Sequence, residues 1–310
     1  MRVAVVASLF ALAFTPACTT RAISPTRDTG TGNGDGTDAG THEVPHVDAN
    51  FPDFGLPPTD SCSDAARLVY LVDQNNAFLR YDPSSGAITN IGQLHCVSGA
   101  ATPFSMAVSR DAVAYVLYSN HHIYAVSTAD ASCTPTSFTI DQMGFQEFGM
   151  GFVSNDAGSS DETLFIAGGS ALGIGGGSST LGSVDVSSWA VSSIGPLSGS
   201  PELTGNGLGE LWGFFPDTSP MAVRQLDKTS GARIQEYDVS AIHPGSGRAS
   251  AWAFAHWGGR YYMFYQAGLE TQTSIYSLTP DTNVVEPVLM DIGYTIVGAG
   301  VSTCAPTMPI

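Results

Sequence analysis

Leu68-Val-Tyr-Leu-Val72, a polar turn and Phe78-Leu-Arg-Tyr-Asp82 open a pattern that recurs along the chain: an aromatic-rich strand, a turn, a second strand ending near Asp, Ser or Thr, then a third strand. The later pairs are Val113-Ala-Tyr-Val-Leu-Tyr118 with Ile123-Tyr-Ala-Val-Ser127, Leu164-Phe-Ile-Ala167 with Leu181-Gly-Ser-Val-Asp185, Leu211-Trp-Gly-Phe-Phe215 with Ala222-Val-Arg-Gln-Leu-Asp227, and Tyr261-Tyr-Met-Phe-Tyr265 with Ile275-Tyr-Ser-Leu-Thr279. Taking Tyr81, Val126, Val184, Leu226 and Leu278 as equivalent gives spacings of 45, 58, 42 and 52 residues. Periods of this length belong to propellers or solenoids, and several strands per period select the propeller. The chain therefore reads as an all-β, five-bladed β-propeller over 62–306.

A fourth strand completes each blade. Ahead of the second to fifth pairs lie Ser105-Met-Ala-Val-Ser109, Gly149-Met-Gly-Phe-Val-Ser154, Gly205-Asn-Gly-Leu-Gly209 and Ser250-Ala-Trp-Ala-Phe-Ala255, all rich in small residues. Innermost strands crowd the propeller axis, where large side chains collide. The first pair lacks such a strand, and Val297-Gly-Ala-Gly-Val-Ser302 supplies one from the C-terminus. Closure by that strand leaves no sheet edge open at the seam. The 58-residue spacing makes Gly173-Ile-Gly-Gly-Gly-Ser178 an insertion between strands of the third blade.

Composition agrees: 43% hydrophobic and 13% charged residues suit a buried core, and 35 Gly with 18 Pro suit many turns. Arg2, the apolar run from Val3 to Phe14 and Thr15-Pro-Ala-Cys18 form a targeting segment too short for a permanent membrane span. It resembles a bacterial lipoprotein signal (1–17), which implies diacylation of Cys18. Thr15 and Pro16 depart from the usual pattern, and ordinary cleavage after Ala17 with secretion is the alternative. Thr19 after the cysteine, by resemblance to enterobacterial sorting, implies the outer membrane. The stretch 18–61 is an acidic Gly/Asp/Pro-rich tether holding seven acids and two arginines beyond Cys18. As a flexible coil it would reach about 35 Å. Losing Arg2 with the leader leaves 10 basic and 28 acidic residues, a charge of −18, which disfavours nucleic acid and anionic lipid as partners.

With Cys18 lipidated, Cys62, Cys96, Cys133 and Cys304 remain, an even set in an oxidising compartment. Cys62 precedes the first strand of the split blade and Cys304 follows its C-terminal strand, so a bond between them would lock the ring, at roughly 4 to 5 kcal/mol in the chain-entropy model. Cys96 and Cys133 pair by elimination, although simple blade geometry puts them toward opposite faces.

Chemistry is sparse. His42-Glu-Val-Pro-His46 matches the zinc-protease pattern, but that pattern needs a helix and Pro45 would break it. Asn33-Gly-Asp-Gly-Thr-Asp38 lacks the glutamate and flanking helices of a calcium loop, and Asp156 to Glu162 shares the weakness. His121 and His122 occupy a hairpin turn. No metal or cofactor is expected, and the sequence contains no Gly-x-Ser-x-Gly elbow and no Ser-x-x-Lys. The inner-strand bodies are expected to carry no carboxylate, with Glu210 at the end of one, which counts against a glycosidase and for a non-enzyme. Arg110, Asp111, Asp156, Glu210, His256, Trp257 and Arg260 fall on loops at the ends of the inner strands, the face favoured for a ligand.

Leader, tether and propeller, with strand patterns such as Thr102-Pro-Phe-Ser-Met-Ala-Val108 and Phe148-Gly-Met-Gly-Phe-Val153, resemble predicted lipoproteins of myxobacterial genomes. The resemblance implies location and fold. The expected function is a monomeric, lipid-anchored envelope propeller binding a protein or glycan; the alternative is an envelope polysaccharide hydrolase or lyase.

Overall fold

Strands buried on both faces read as near-continuous apolar runs, and the first quoted stretch shows why. A computed structural model describes residues 62–96, 100–169, 177–242 and 248–309, all within the unit Pro52–Ile310. In β1 (Val69–Asp73), Val69 and Leu71 join one buried cluster while Tyr70 and Val72 join another. Each side of a blade thus packs on a different neighbour.

Among the described residues twenty strands form five antiparallel four-stranded sheets. Blade 1 runs β20 (Ile296–Val301), β1, β2 (Ala77–Asp82), β3 (Ala87–Gln93), from axis to rim. Blade 2 holds β4 (Pro103–Val108), β5 (Val113–Tyr118), β6 (Ile123–Ser127) and β7 (Cys133–Pro135); blade 3 holds β8 (Glu147–Ser154), β9 (Glu162–Gly169), β10 (Ser178–Asp185) and β11 (Ala190–Ser198). Blade 4 holds β12 (Glu202–Gly205), β13 (Leu211–Phe215), β14 (Ala222–Leu226) and β15 (Arg233–Asp238); blade 5 holds β16 (Ala249–Trp257), β17 (Arg260–Ala267), β18 (Ser274–Thr279) and β19 (Val284–Leu289). The inner strands touch in the cyclic order β20, β4, β8, β12, β16 and back to β20. The fold is a five-bladed β-propeller. Among the described residues no helix is long and apolar enough to cross a membrane.

The split blade closes as expected, with Val69 opposite Val301 and Leu71 opposite Ala299. Cys62 and Cys304 are bonded across a sequence separation of 242 residues. Cys96 and Cys133 are bonded too. The opposition of faces expected for them does not hold: the end of β3 reaches the β6–β7 turn, where Gly92 abuts Ala131, and Leu94 and Ala131 share one cluster against which both cysteines pack. Small residues on the inner strands answer to a steric limit. A Cβ on Gly149 would lie 2.8 Å from Glu202 Cα, and one on Gly298 would lie 2.9 Å from the Met106 nitrogen.

One inner strand departs from expectation. Blade 4 starts at Glu202–Gly205, and Asn206 to Gly209 form a turn whose Leu208 and Glu210 amides donate to Asn206 Oδ1. The glycines there serve the turn, not the axis, so small-residue matching slipped by three positions.

The leader, Cys18, the tether 18–61, His42 to His46, Asn33 to Asp38 and most of the glycine-rich insertion lie outside the described residues. Ser178, the last of that insertion, opens β10, consistent with its place between β9 and β10.

Candidate axial site

All five inner strands run in the same direction, so their first residues converge at one end of the axis. There two cavities of about 100 and 230 Å³ share Phe104, Glu202 and Trp252. Glu147, the first residue of β8, lines the smaller, and Gln74 and Val297 line the larger. Trp252 reaches the mouth because β16 alternates: Ala253 and Ala255 pack toward blade 1, while Trp252 and Phe254 pack toward blade 4. Both Phe104 and Trp252 remain half-buried.

Glu202 is the group that joins blades across this mouth. It is 4% exposed, and its Oε2 accepts a 2.9 Å hydrogen bond from the Ser105 hydroxyl of β4, while the Met150 amide of β8 also donates to the carboxyl. Blades 2, 3 and 4 therefore meet on one carboxyl group. Burial drives its pKa well above the ordinary glutamate value, against the pull of the Ser105 hydroxyl and the Met150 amide. Burial also raises Glu147, with His121 opposing. The bodies of the inner strands carry no carboxylate, as expected, but Glu210 is not alone at their ends: Glu147 and Glu202 are the first residues of β8 and β12. The slip in blade 4 hid Glu202, and Glu147 lies just before the small-residue stretch that defined β8.

The residues expected to form a ligand face lie at the other end of the ring, and none lines a described cavity. Arg110 is buried in a structural lock: its Nη1 donates to Thr303 Oγ1 at 3.0 Å, its backbone amide donates to Glu162 Oε1 at 2.8 Å, and its Nη2 approaches Cys62 Sγ at 3.4 Å. Thr303 in turn donates to Glu162 Oε2, so blades 1, 2 and 3 are tied beside the disulfide. Asp111 and Asp156 are exposed, and Asp156 lies near Lys228, whose ammonium donates to the carbonyls of Ser154 and Asn155. Glu210 accepts from Asn206 Nδ2 at 2.8 Å and Trp212 Nε1 at 3.3 Å. Trp257 is buried and donates to the Arg67 carbonyl at 2.8 Å, and Arg260 pairs with Glu286 at 3.0 Å. His256 is buried, with no partner for Nδ1 among the described residues, and burial lowers its pKa to about 4. The hairpin expected at His121 and His122 joins β5 to β6, and His121 Nδ1 meets Asp141 at 3.0 Å.

A third cavity of about 330 Å³ lies at the periphery between β11 and the β14–β15 hairpin. Arg224 walls it, with its guanidinium 4.5 Å over the Phe215 ring and bonded to Glu236. Its cation is already engaged.

No family model matches the chain, and no curated protein does. Among solved structures, a protein of unknown function from Bacteroides caccae is similar at 12% identity and a TM-score of 0.45, over 74% of this chain and 84% of that one. A structural genomics protein of unknown function from Bacteroides thetaiotaomicron VPI-5482 is similar at 20% identity and a TM-score of 0.35, over 49% of this chain and 42% of that one. A chain of a Mitotic Checkpoint Complex is similar at 16% identity and a TM-score of 0.38, over 84% and 75%.

Proposed function

We propose that this protein is a lipid-anchored β-propeller of the cell envelope that binds a protein or glycan ligand at its axial mouth without transforming it. The observation that carries the binding role is the convergence of Trp252, Phe104, Glu147 and Glu202 on two joined cavities. Aromatic faces beside a few polar groups in a concavity are the usual makeup of a recognition site. The larger cavity is below the roughly 300–1,000 Å³ of drug-sized pockets, which suits a single side chain or sugar unit of a larger ligand. Anchoring rests on the leader and Cys18. The test has two arms: Cys18→Ser should move the protein from the membrane pellet to the soluble fraction, and Trp252→Ala should abolish capture of envelope ligand by the full mature chain. Retention in salt-washed membranes would sink the anchor, and unchanged capture would sink the mouth.

Two carboxyl groups in one cavity favour a second reading, hydrolysis or lyase cleavage of an envelope polysaccharide, because one protonated and one ionised carboxyl can serve as acid and base. Release of new sugar ends from envelope polysaccharide by wild type, lost in both Glu147→Gln and Glu202→Gln, would replace the binding reading with this one.

A further inference from the structure

The Ser105 hydroxyl and the Met150 amide that bond Glu202 are both neutral, and no ion pair reaches it among the described residues. The lining of both cavities contains two carboxyl groups and aromatic faces but no lysine or arginine. His121, itself paired with Asp141, faces Glu147 from the rim. An amide at position 202 could keep the contact with Ser105 and would carry no charge into the interior. A carboxyl group at this place therefore makes sense where its charge is used.

We propose that the axial mouth receives a cationic side chain, the ammonium of a lysine or the guanidinium of an arginine, presented by a protein partner. This rests on the binding reading and narrows it. Trp252 and Phe104 line both cavities and offer aromatic surface to a cation and its aliphatic stem, and counter-charge comes from Glu202, which lines both, and Glu147, which lines the smaller. The larger cavity, about 230 Å³, takes one extended side chain rather than a peptide segment. A net charge of −17 draws basic partners toward the surface. Burial favours the protonated form of Glu202 and an arriving cation favours the ionised form, so binding is linked to proton release.

Calorimetry of the full mature protein at pH 7 tests this with a hexapeptide carrying one lysine, the same peptide with norleucine, free spermidine and a neutral hexasaccharide. The expected result is a Kd at least tenfold lower for lysine than for norleucine, with release of up to one proton, read from the difference between phosphate and Tris buffers. Glu202→Gln should erase both the preference and the proton release while remaining folded by circular dichroism. Glu236→Gln, remote from the mouth, should change neither. Lysine and norleucine peptides binding alike, or neither binding, overturns the inference. So does binding of spermidine or the hexasaccharide in place of the lysine peptide. Trp252→Ala capture then decides separately whether the mouth binds anything, so the two proposals can fail independently.

Discussion

Burial acts on Glu202 and His256 in opposite senses, and their pH responses follow. Glu202 holds its proton more tightly folded than unfolded, so it adds stability below the unfolded glutamate pKa and loses that contribution as pH rises toward its elevated folded value. At pH 7 the acid is a burden that an amide lacks. Glu202→Gln is expected to raise the melting temperature at pH 7, by roughly 2–4 °C for each kcal/mol recovered in a domain of this size, and the gain should shrink by pH 4. Thermal melts at the two pH values check both the sign and the trend. His256 runs the other way: with a folded pKa of about 4 and an ordinary value of 6.5, its contribution is whole above pH 6.5 and lost as pH falls through that window. The full loss is on the order of 3 kcal/mol. Replacing His256 by Phe should flatten this part of the acid limb of urea-unfolding stability between pH 7 and pH 4, and an unchanged limb would show that the imidazole is solvated.

At the scale of elements, the inner strands are limited by how closely their backbones approach. Gly149 faces Pro201 and Glu202 of the next inner strand so tightly that a methyl group meets backbone rather than a movable side chain. Gly149→Ala is expected to destabilise by about 1–3 kcal/mol, the usual cost of overpacking, while Gly169→Ala, with open space around its Cβ position, should cost less. Urea titrations of the two variants compare them directly. The same crowding made most strands legible. Runs such as Leu68 to Val72 are apolar at successive positions because a blade is buried on both sides, and the small residues of Ser105 to Ser109 and Val297 to Ser302 mark the axis. Blade 4 was misread because Asn206 to Gly209 imitate that marker while serving a turn. The site followed the same error. Trp252 sits inside a stretch, Ser250 to Ala255, whose small residues mark the axis rather than a ligand, and Glu202 fell in an apparent connector. In the structure Glu202 to Thr204 pair with Phe214 to Trp212, ahead of the turn that imitates the marker.

The whole ring depends on joining its two ends. Cys62 to Cys304 closes a loop for which the chain-entropy model gives about 5 kcal/mol, and the Arg110, Glu162 and Thr303 lock sits against it. Replacing both cysteines by serine is expected to lower the melting temperature well below that of Cys18→Ser, with the difference vanishing under reducing conditions. Peptide mapping of oxidised protein should find Cys62 on Cys304 and Cys96 on Cys133; any other pairing would break the circular strand order.

Strand β20 is both the innermost strand of the first blade and the last of the described propeller strands to leave the ribosome. Blades 2 to 5 draw their strands from consecutive stretches and can assemble as they emerge, but β1 to β3 must wait, without an inner neighbour, until the other four blades have been made. The seam thus works as a timer. It delays completion of the ring until β20 is made, and a nascent chain cut short before Ile296 leaves the first blade with an open edge.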